Sequence, residues 1–421
     1  MNLSIVSVIA LFVAIALGFF KKSNVGIMCI SFAFIISVAF GIKTSDVIKG
    51  FSSSLALTMI GVTYLFSIIN ANKTLEISAN KLVRLVGKQT YLIYIAMYVV
   101  GFLICAVGPG AIPTLAIIPV LAVPVALSSG INPILLSIIG QIGVQSGRMT
   151  KINPEGILVI DLLEKQGLST NLMPMMYCLI LCELVLLVFV FIYFKGWKFN
   201  KIITQFEKKD TLSQNFNTNQ IISLIGLGVL IICATVFNLN VGLTAFVIGS
   251  FLIVLGVGKE QQSIKSIPWN IILLVLGVGI LMNIITISGG IKLLSNGLQS
   301  VMGPKTASAI MTLVAGIMSF FSSGLGVVFA TLIPTTTTIA SNLGGASAIE
   351  LVAAVVVGGT IAGYSPISTA GSLIMVAVSQ EEEYKELYPE NKMFVQLFVV
   401  AIAGVVVSTT IALVGGYKLF C

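Results

Sequence analysis

The sequence predicts an all-α polytopic membrane protein built from two inverted repeats, each of five transmembrane helices plus one re-entrant hairpin. Three observations carry this reading. Hydrophobic residues make up 57% of the 421 and charged residues only 9%, whereas a soluble domain carries about a quarter charged residues. Apolar stretches of bilayer-crossing length recur along the whole chain, and the second half of the chain repeats the first.

A hydrocarbon core of ~30 Å takes about 20 helical residues. Such spans fall at 3–20, 24–42, 53–71, 132–165, 171–194, 219–236, 240–257, 267–286, 346–379 and 393–417. The first lacks a basic segment ahead of it, and Lys21 and Lys22 follow its apolar run, so it reads as a retained helix and not a signal peptide. Two further stretches, 89–128 and 305–342, are about twice as long as a span. Each carries a glycine-rich break, Gly108-Pro109-Gly110 and Ser322-Ser323-Gly324-Leu325-Gly326. Amphipathic segments at 72–88 and 288–303 precede them and are expected along the interface.

The expected N-terminal repeat is therefore 1–194, with scaffold helices at 1–71 and a hairpin and broken helix at 89–194. A polar cytoplasmic linker at 195–217 leads to the C-terminal repeat, 218–421, with scaffold helices at 218–286 and a hairpin and broken helix at 305–417.

The repeat rests on residues that membrane helices do not share cheaply. A shift of 216 puts Asn24 on Asn240, Gly26 on Gly242, Gly61 on Gly277, Asn80 on Asn296, Gly87 on Gly303, Thr90 on Thr306, Gly108 on Gly324 and Gly110 on Gly326. A shift of 215 then puts Pro119 on Pro334, Gly130 on Gly345, Gly143 on Gly358 and Gly156 on Gly371. Five crossings per half make the second copy enter from the opposite side. With both termini outside, 15 of the 23 lysines and arginines fall in inside loops and six in outside loops, as topology rules favour. The net charge of +8 is thus a sign of membrane orientation, and no nucleic-acid partner is expected.

Composition also limits the chemistry. There is no histidine, so histidine-dependent catalysis is excluded, and no enzymatic activity is expected. The six cysteines mostly sit in apolar runs without framework spacing and read as buried free thiols.

Irregular backbone at membrane depth is tolerated where protein buries it or water reaches it. Besides the two hairpin tips, the segments 145–154 and 360–369 interrupt apolar spans at matched positions. Broken helices free carbonyls that ligate small cations and N-termini that favour anions. Arg148 lies in the first break. A central arginine costs about 2.5–3.5 kcal/mol on insertion scales, so it needs a water-filled cavity and an anion, or a partner such as Glu155 or Asp161. Glu183, alone in an apolar run, is either a proton site or a hydrogen-bonded helix contact.

At these residues the chain resembles the ion transporter superfamily, in particular the divalent anion:sodium symporters and the malonate/dicarboxylate carriers. The hairpin segments at 115–119 and 331–334 and the Ser-Pro-Ile-Ser-Thr run at 365–369 carry the likeness. The resemblance implies a homodimer in the cell membrane, with a rigid scaffold and a transport domain that slides as an elevator. It implies a secondary transporter of small mono- or dicarboxylates coupled to Na+ or H+, with no resident cofactor. Carried over, the substrate residues are Gly108, Pro109, Gly110, Thr114, Ser146, Arg148 and Asn153 in one half, and Ser322, Ser323, Gly324, Ser368 and Thr369 in the other. The sodium positions are Gly147, Thr150, Gly326 and Ser365. Two departures stand out: the tips are glycine-rich where such symporters carry Ser-Asn-Thr, and Arg148 puts a fixed positive charge beside one sodium position. Alternative readings are the ion-translocating membrane subunit of a decarboxylase complex and a passive anion channel.

Overall fold

The computed structural model describes residues 2–21, 23–85, 90–108, 110–198, 216–237, 239–379 and 387–421. Pro109 and most of the 195–217 linker lie outside the described residues. The chain opens on α1 (Leu3–Lys21) and α2 (Val25–Phe40), and a short α3 (Thr44–Ile48) leads into α4 (Ser53–Ala71). After α5 (Thr74–Leu85), the first hairpin is α6 (Thr90–Val107) and α7 (Ala111–Ser129). A broken helix follows as α8 (Pro133–Ser146) and α9 (Pro154–Lys165), then α10 (Met173–Tyr193).

The second half runs in the same order: α11 (Thr218–Thr235), α12 (Val241–Val254), α13 (Glu260–Lys265), α14 (Trp269–Ile287) and α15 (Gly290–Gln299). Its hairpin begins with α16 (Ala307–Phe321) and returns through a π-helical turn (Gly324–Phe329), α17 (Ala330–Leu332) and α18 (Thr336–Leu343). The second broken helix is α19 (Ala348–Ile361) and α20 (Thr369–Ser379), and α21 (Glu390–Leu413) completes the bundle. Among the described residues, six helical stretches are long and apolar enough to cross a membrane. Large apolar side chains such as Val188, Phe251 and Val254 are exposed on its outside, as lipid contact requires.

Side chains at the repeat-matched positions explain why the helices start where they do. Asn24 caps α2 by accepting from the Gly26 amide at 2.9 Å, and Asn240 caps α12 by accepting from Leu243 at 3.0 Å. Both segments of the first broken helix start with an asparagine cap followed by proline: Asn132-Pro133 at α8 and Asn153-Pro154 at α9. At the end of the second hairpin the left-handed residue is Gly344, φ 59°, and not the Gly345 that the sequence shift pairs with Gly130.

Matched glycines mark the places where helix backbones touch. A β-carbon on Gly61 would overlap the carbonyl oxygen of Gly242, and one on Gly277 would overlap that of Gly26. Exchanging the halves turns one of these contacts into the other. In this way α4 packs on α12 and α2 on α14, each helix finding its partner in the opposite half. The same reciprocity holds elsewhere. Gly143 abuts the Tyr98 carbonyl where α8 meets α6, and Gly358 abuts the Thr312 carbonyl where α19 meets α16. Gly156 and Gly371 abut the carbonyls of Thr150 and Ser365. Small residues permit such approaches, and packing supplies the association energy in lipid.

The first hairpin ends beside the helix break. Contacts of Gly143 with Tyr98, Gly147 with Phe102 and Thr150 with Ala106 show α6 running parallel to α8. Its tip therefore reaches the level where α8 stops, while α9 continues about 18 Å further at 1.5 Å per residue. In the second half, Ser319 and Gly324 both meet the Gly359 carbonyl just before the second break.

Candidate substrate cleft

Both breaks and the second hairpin tip open onto one cleft of about 300 Å³. Gln145 and Arg148 enter it from the first break, and Thr360, Gly363, Ser368 and Thr369 from the second. Ser319, Ser322, Ser323 and Gly324 line it from the second tip, and Ile112 and Leu115 of α7 form an apolar wall. The volume lies at the small end of ligand pockets, so a small solute fits.

Arg148 is 7% exposed. Its Nη1 donates to Gln145 Oε1 at 2.9 Å, its Nη2 reaches Glu155 Oε1 at 3.3 Å, and its Nε has no protein partner. The expected alternatives thus both hold in part: the guanidinium lines a cavity and also has a carboxylate partner. Asp161 is not that partner, since it binds Ser52 at 2.9 Å and Lys165 at 2.6 Å. Glu155 also accepts from the Ala111 amide at 3.2 Å, the first residue of α7. One carboxylate therefore neutralises the arginine and caps the returning arm of the first hairpin.

The first tip is closed by its own neighbours. Asn153 Nδ2 donates to the Cys105 carbonyl at 2.9 Å and Thr150 Oγ1 to the Ala106 carbonyl at 2.8 Å, satisfying the free end of α6. Thr114 donates to the Gly110 carbonyl within its own helix. A β-carbon on Gly108 would overlap the Phe66 ring of α4, and Gly110 adopts φ 87°, a left-handed setting that favours glycine. Consequently Gly108, Gly110, Thr114, Ser146, Gly147, Thr150 and Asn153 do not line the cleft; Pro109 lies outside the described residues.

The second tip is open to the cleft. Ser322 donates to the Met318 carbonyl at 2.7 Å, and Ser323 caps the π-helical turn by accepting from the Gly326 amide at 3.1 Å. Gly326 itself is buried against Leu274 of α14, off the cleft. In the second break Ser365 is buried, accepting from Ile367 at 3.3 Å, while Ser368 donates to the carbonyls of Gly363 and Ser365. Of the residues carried over from the resemblance, the cleft brings together Arg148, Ser322, Ser323, Gly324, Ser368 and Thr369.

Gln145, Ser319, Thr360 and Gly363 also line the cleft; none was carried over as a site residue, although Gln145, Thr360 and Gly363 fall in the interrupted segments 145–154 and 360–369. Gln145 is the most connected: it accepts from Arg148 and its Nε2 donates to the Thr360 carbonyl at 3.3 Å. The shift of 215 already paired Gln145 with Thr360, but a glutamine against a threonine does not register as a match.

Electrostatically, the cleft favours an anion. The N-terminus of α20 meets it at Thr369 and Ala370, and the return arm of the second hairpin starts at it with Gly324 and Leu325. Helix N-termini carry partial positive charge, and Arg148 adds donors from the opposite side. Such a cleft, at the helix breaks of a helical membrane bundle, can hold a small anion.

The comparisons with known proteins agree. Residues 1–148 match the family described as the dicarboxylate carrier protein MatC N-terminus, and residues 243–420 match the family described as citrate transporter. Both matched families are described as carriers of small carboxylates, one matching the first part of the chain and the other the last. Its fold is similar to that of the Alcanivorax borkumensis YdaH transporter, with a TM-score of 0.63 at 12% identity over 89% of this chain and 88% of that one. No functionally curated protein matches the sequence significantly.

Proposed function

We propose that this protein is a secondary active transporter of small mono- or dicarboxylates that works by an elevator motion coupled to Na+ or H+. The observation that carries the proposal is the convergence of Arg148, the start of α20 and the start of the second hairpin's return arm on one small cleft. A carboxylate placed there meets the Arg148 guanidinium and the hydroxyls of Ser323 and Thr369.

In this reading the halves are oppositely oriented, and α1 to α4 with α11 to α14 form the scaffold. The hairpins and broken helices form the moving part. The seam between them is where Phe66 seats on Gly108 and Leu274 on Gly326. The carrier works as a homodimer in the cell membrane with both termini outside. Thr150 and Ser365 occupy equivalent points of the two breaks and are proposed sodium positions, as are Gly147 and Gly326. Arg148 already supplies positive charge at the first, which leaves the second as the seat for a coupling ion.

The test is a thermal-shift screen of mono-, di- and tricarboxylates, with and without sodium and at two pH values, followed by uptake into proteoliposomes. Saturable uptake that Arg148→Ala abolishes in a protein that remains dimeric is the expected result. Uptake that stays unsaturated, or is unchanged in Arg148→Ala, overturns the assignment.

A further inference from the structure

The cleft leaves the buried carboxyl group of Glu183 unexplained. Glu183 lies in the middle of α10 and is fully buried. Its Oε2 accepts from the Tyr364 hydroxyl at 2.8 Å, and its Oε1 has no partner among the described residues. Tyr364 belongs to the second break, and the residue before it, Gly363, lines the cleft opposite Gln145. Two successive residues of the break thus face the cleft, at Gly363, and bind the Glu183 carboxyl group, at Tyr364.

The surroundings of Glu183 offer little to an ionised carboxylate. α10 packs against α8, α19, α21 and the closing turn Gly416–Leu419. Tyr364 and Arg148 act on Glu183, and Glu183 in turn acts on Tyr98 of α6 and the adjacent Cys182. Arg148 is already paired with Glu155. α8 has no titratable residue, and Glu350 in the first turn of α19 acts on Cys178 instead. Glu390 and Lys392 of α21 lie about 18 Å along that helix from Gly404, which packs on Leu186, one turn from Glu183. On the closing turn, the Tyr417 hydroxyl faces Cys182 and Ser408, and Lys418 follows it toward the chain end.

A charged carboxylate is costly to bury with a single hydrogen bond, whereas the neutral acid is cheaper. Which form is held therefore depends on whether movement of the break brings water or further donors to Oε1.

We propose that Glu183 is the proton-binding group of this carrier, taking H+ onto Oε1 from the side to which the cleft opens and releasing it on the other, with Tyr364 tying its state to the break. The step is a simple one: the carboxylate and one proton give the acid, and the reverse step returns both. It rests on the transport reading above, and its alternative is a purely structural bond that fastens α10 to the break.

The experiment uses the full chain in proteoliposomes with radiolabelled succinate and citrate as probes. Counterflow exchange reads solute translocation without net proton movement, and accumulation driven by a pH gradient reads coupling. Wild type is expected to show both. Glu183→Gln is expected to keep counterflow within about twofold and to lose gradient-driven accumulation by about tenfold or more. Glu183→Asp is expected to restore part of it, and Tyr364→Phe to shift the pH dependence of uptake.

Accumulation by Glu183→Gln equal to wild type overturns the proposal. So does accumulation by wild type that follows only a sodium gradient, which leaves the transport reading intact. Wild type without counterflow sinks both. If Glu183→Gln loses both activities and its monodispersity, Glu183→Asp decides: failure to recover gradient-driven accumulation overturns the proton role.

Discussion

Gln145 and Thr360 hold the same place in the two halves, 215 residues apart, and the side chain of one donates to the backbone carbonyl of the other at 3.3 Å. The same offset sets Arg148 against Gly363. One side of this junction thus carries a guanidinium and the other a bare backbone. A β-carbon on Gly363 would sit 3.1 Å from Gln145 Nε2, so the glycine supplies the room that the arginine's side of the cleft needs.

Gln145→Leu tests this junction. It removes the bond to Thr360 and the acceptor for Arg148 Nη1, leaving buried polar groups unpaired at a cost of about 1–3 kcal/mol. A lower melting temperature in detergent and uptake reduced by about tenfold are expected. Normal uptake at unchanged affinity would show that Gln145 does not position Arg148.

Glu155→Gln separates stability from recognition. Removing one partner of a buried ion pair costs about 3–5 kcal/mol, because Arg148 is left uncompensated. The double variant Glu155→Gln/Arg148→Gln is expected to recover most of that loss in chemical denaturation while remaining inactive in uptake. Recovery of activity would dissociate the arginine from the solute.

Glycine substitutions probe the crossing points. Gly61→Ala and Gly277→Ala each drive a methyl into a facing carbonyl, so both should lower the yield of monodisperse protein to a similar degree. Gly228→Ala meets open space within α11 and should be neutral or slightly stabilising, by up to about 1 kcal/mol. Size-exclusion profiles and melting curves compare the three directly. A Gly61→Ala protein as well behaved as Gly228→Ala would contradict the packing described.

Thiol labelling tests orientation. Cys421 is exposed, Cys233 partly so, and Cys29, Cys105, Cys178 and Cys182 are buried. In a Cys233→Ser background, a membrane-impermeant maleimide added to intact cells should label Cys421. Labelling only after the cells are opened would place the C-terminus inside.

Much of the frame could be read from the sequence because it is written in residues with strict backbone meanings. Gly26, Gly61, Gly143 and Gly156 recur in the second half since only glycine lets one backbone rest on another's carbonyl. Asn24 and Asn240 recur because each starts a helix. The cleft was legible in part: Arg148, the second tip and the second break announce themselves as polar interruptions in apolar spans. The closure of the first tip was not. It depends on Glu155 curling back to Ala111, and on Asn153 and Thr150 reaching the end of α6, distances that the course of a broken helix sets and linear spacing does not. The bond between Tyr364 and Glu183 joins residues 181 apart and leaves no mark in either local pattern.

The exchange of partners between α2 and α14, and between α4 and α12, has a bearing on how the molecule is made. Helices emerge from the ribosome in order, so the contacts of Gly61 with Gly242 and of Gly26 with Gly277 form only once the second half has been made. Neither half can make these contacts alone. Two fragments divided in the linker should each be short-lived alone and should persist when produced together, much as the two sides of a zip hold only when engaged.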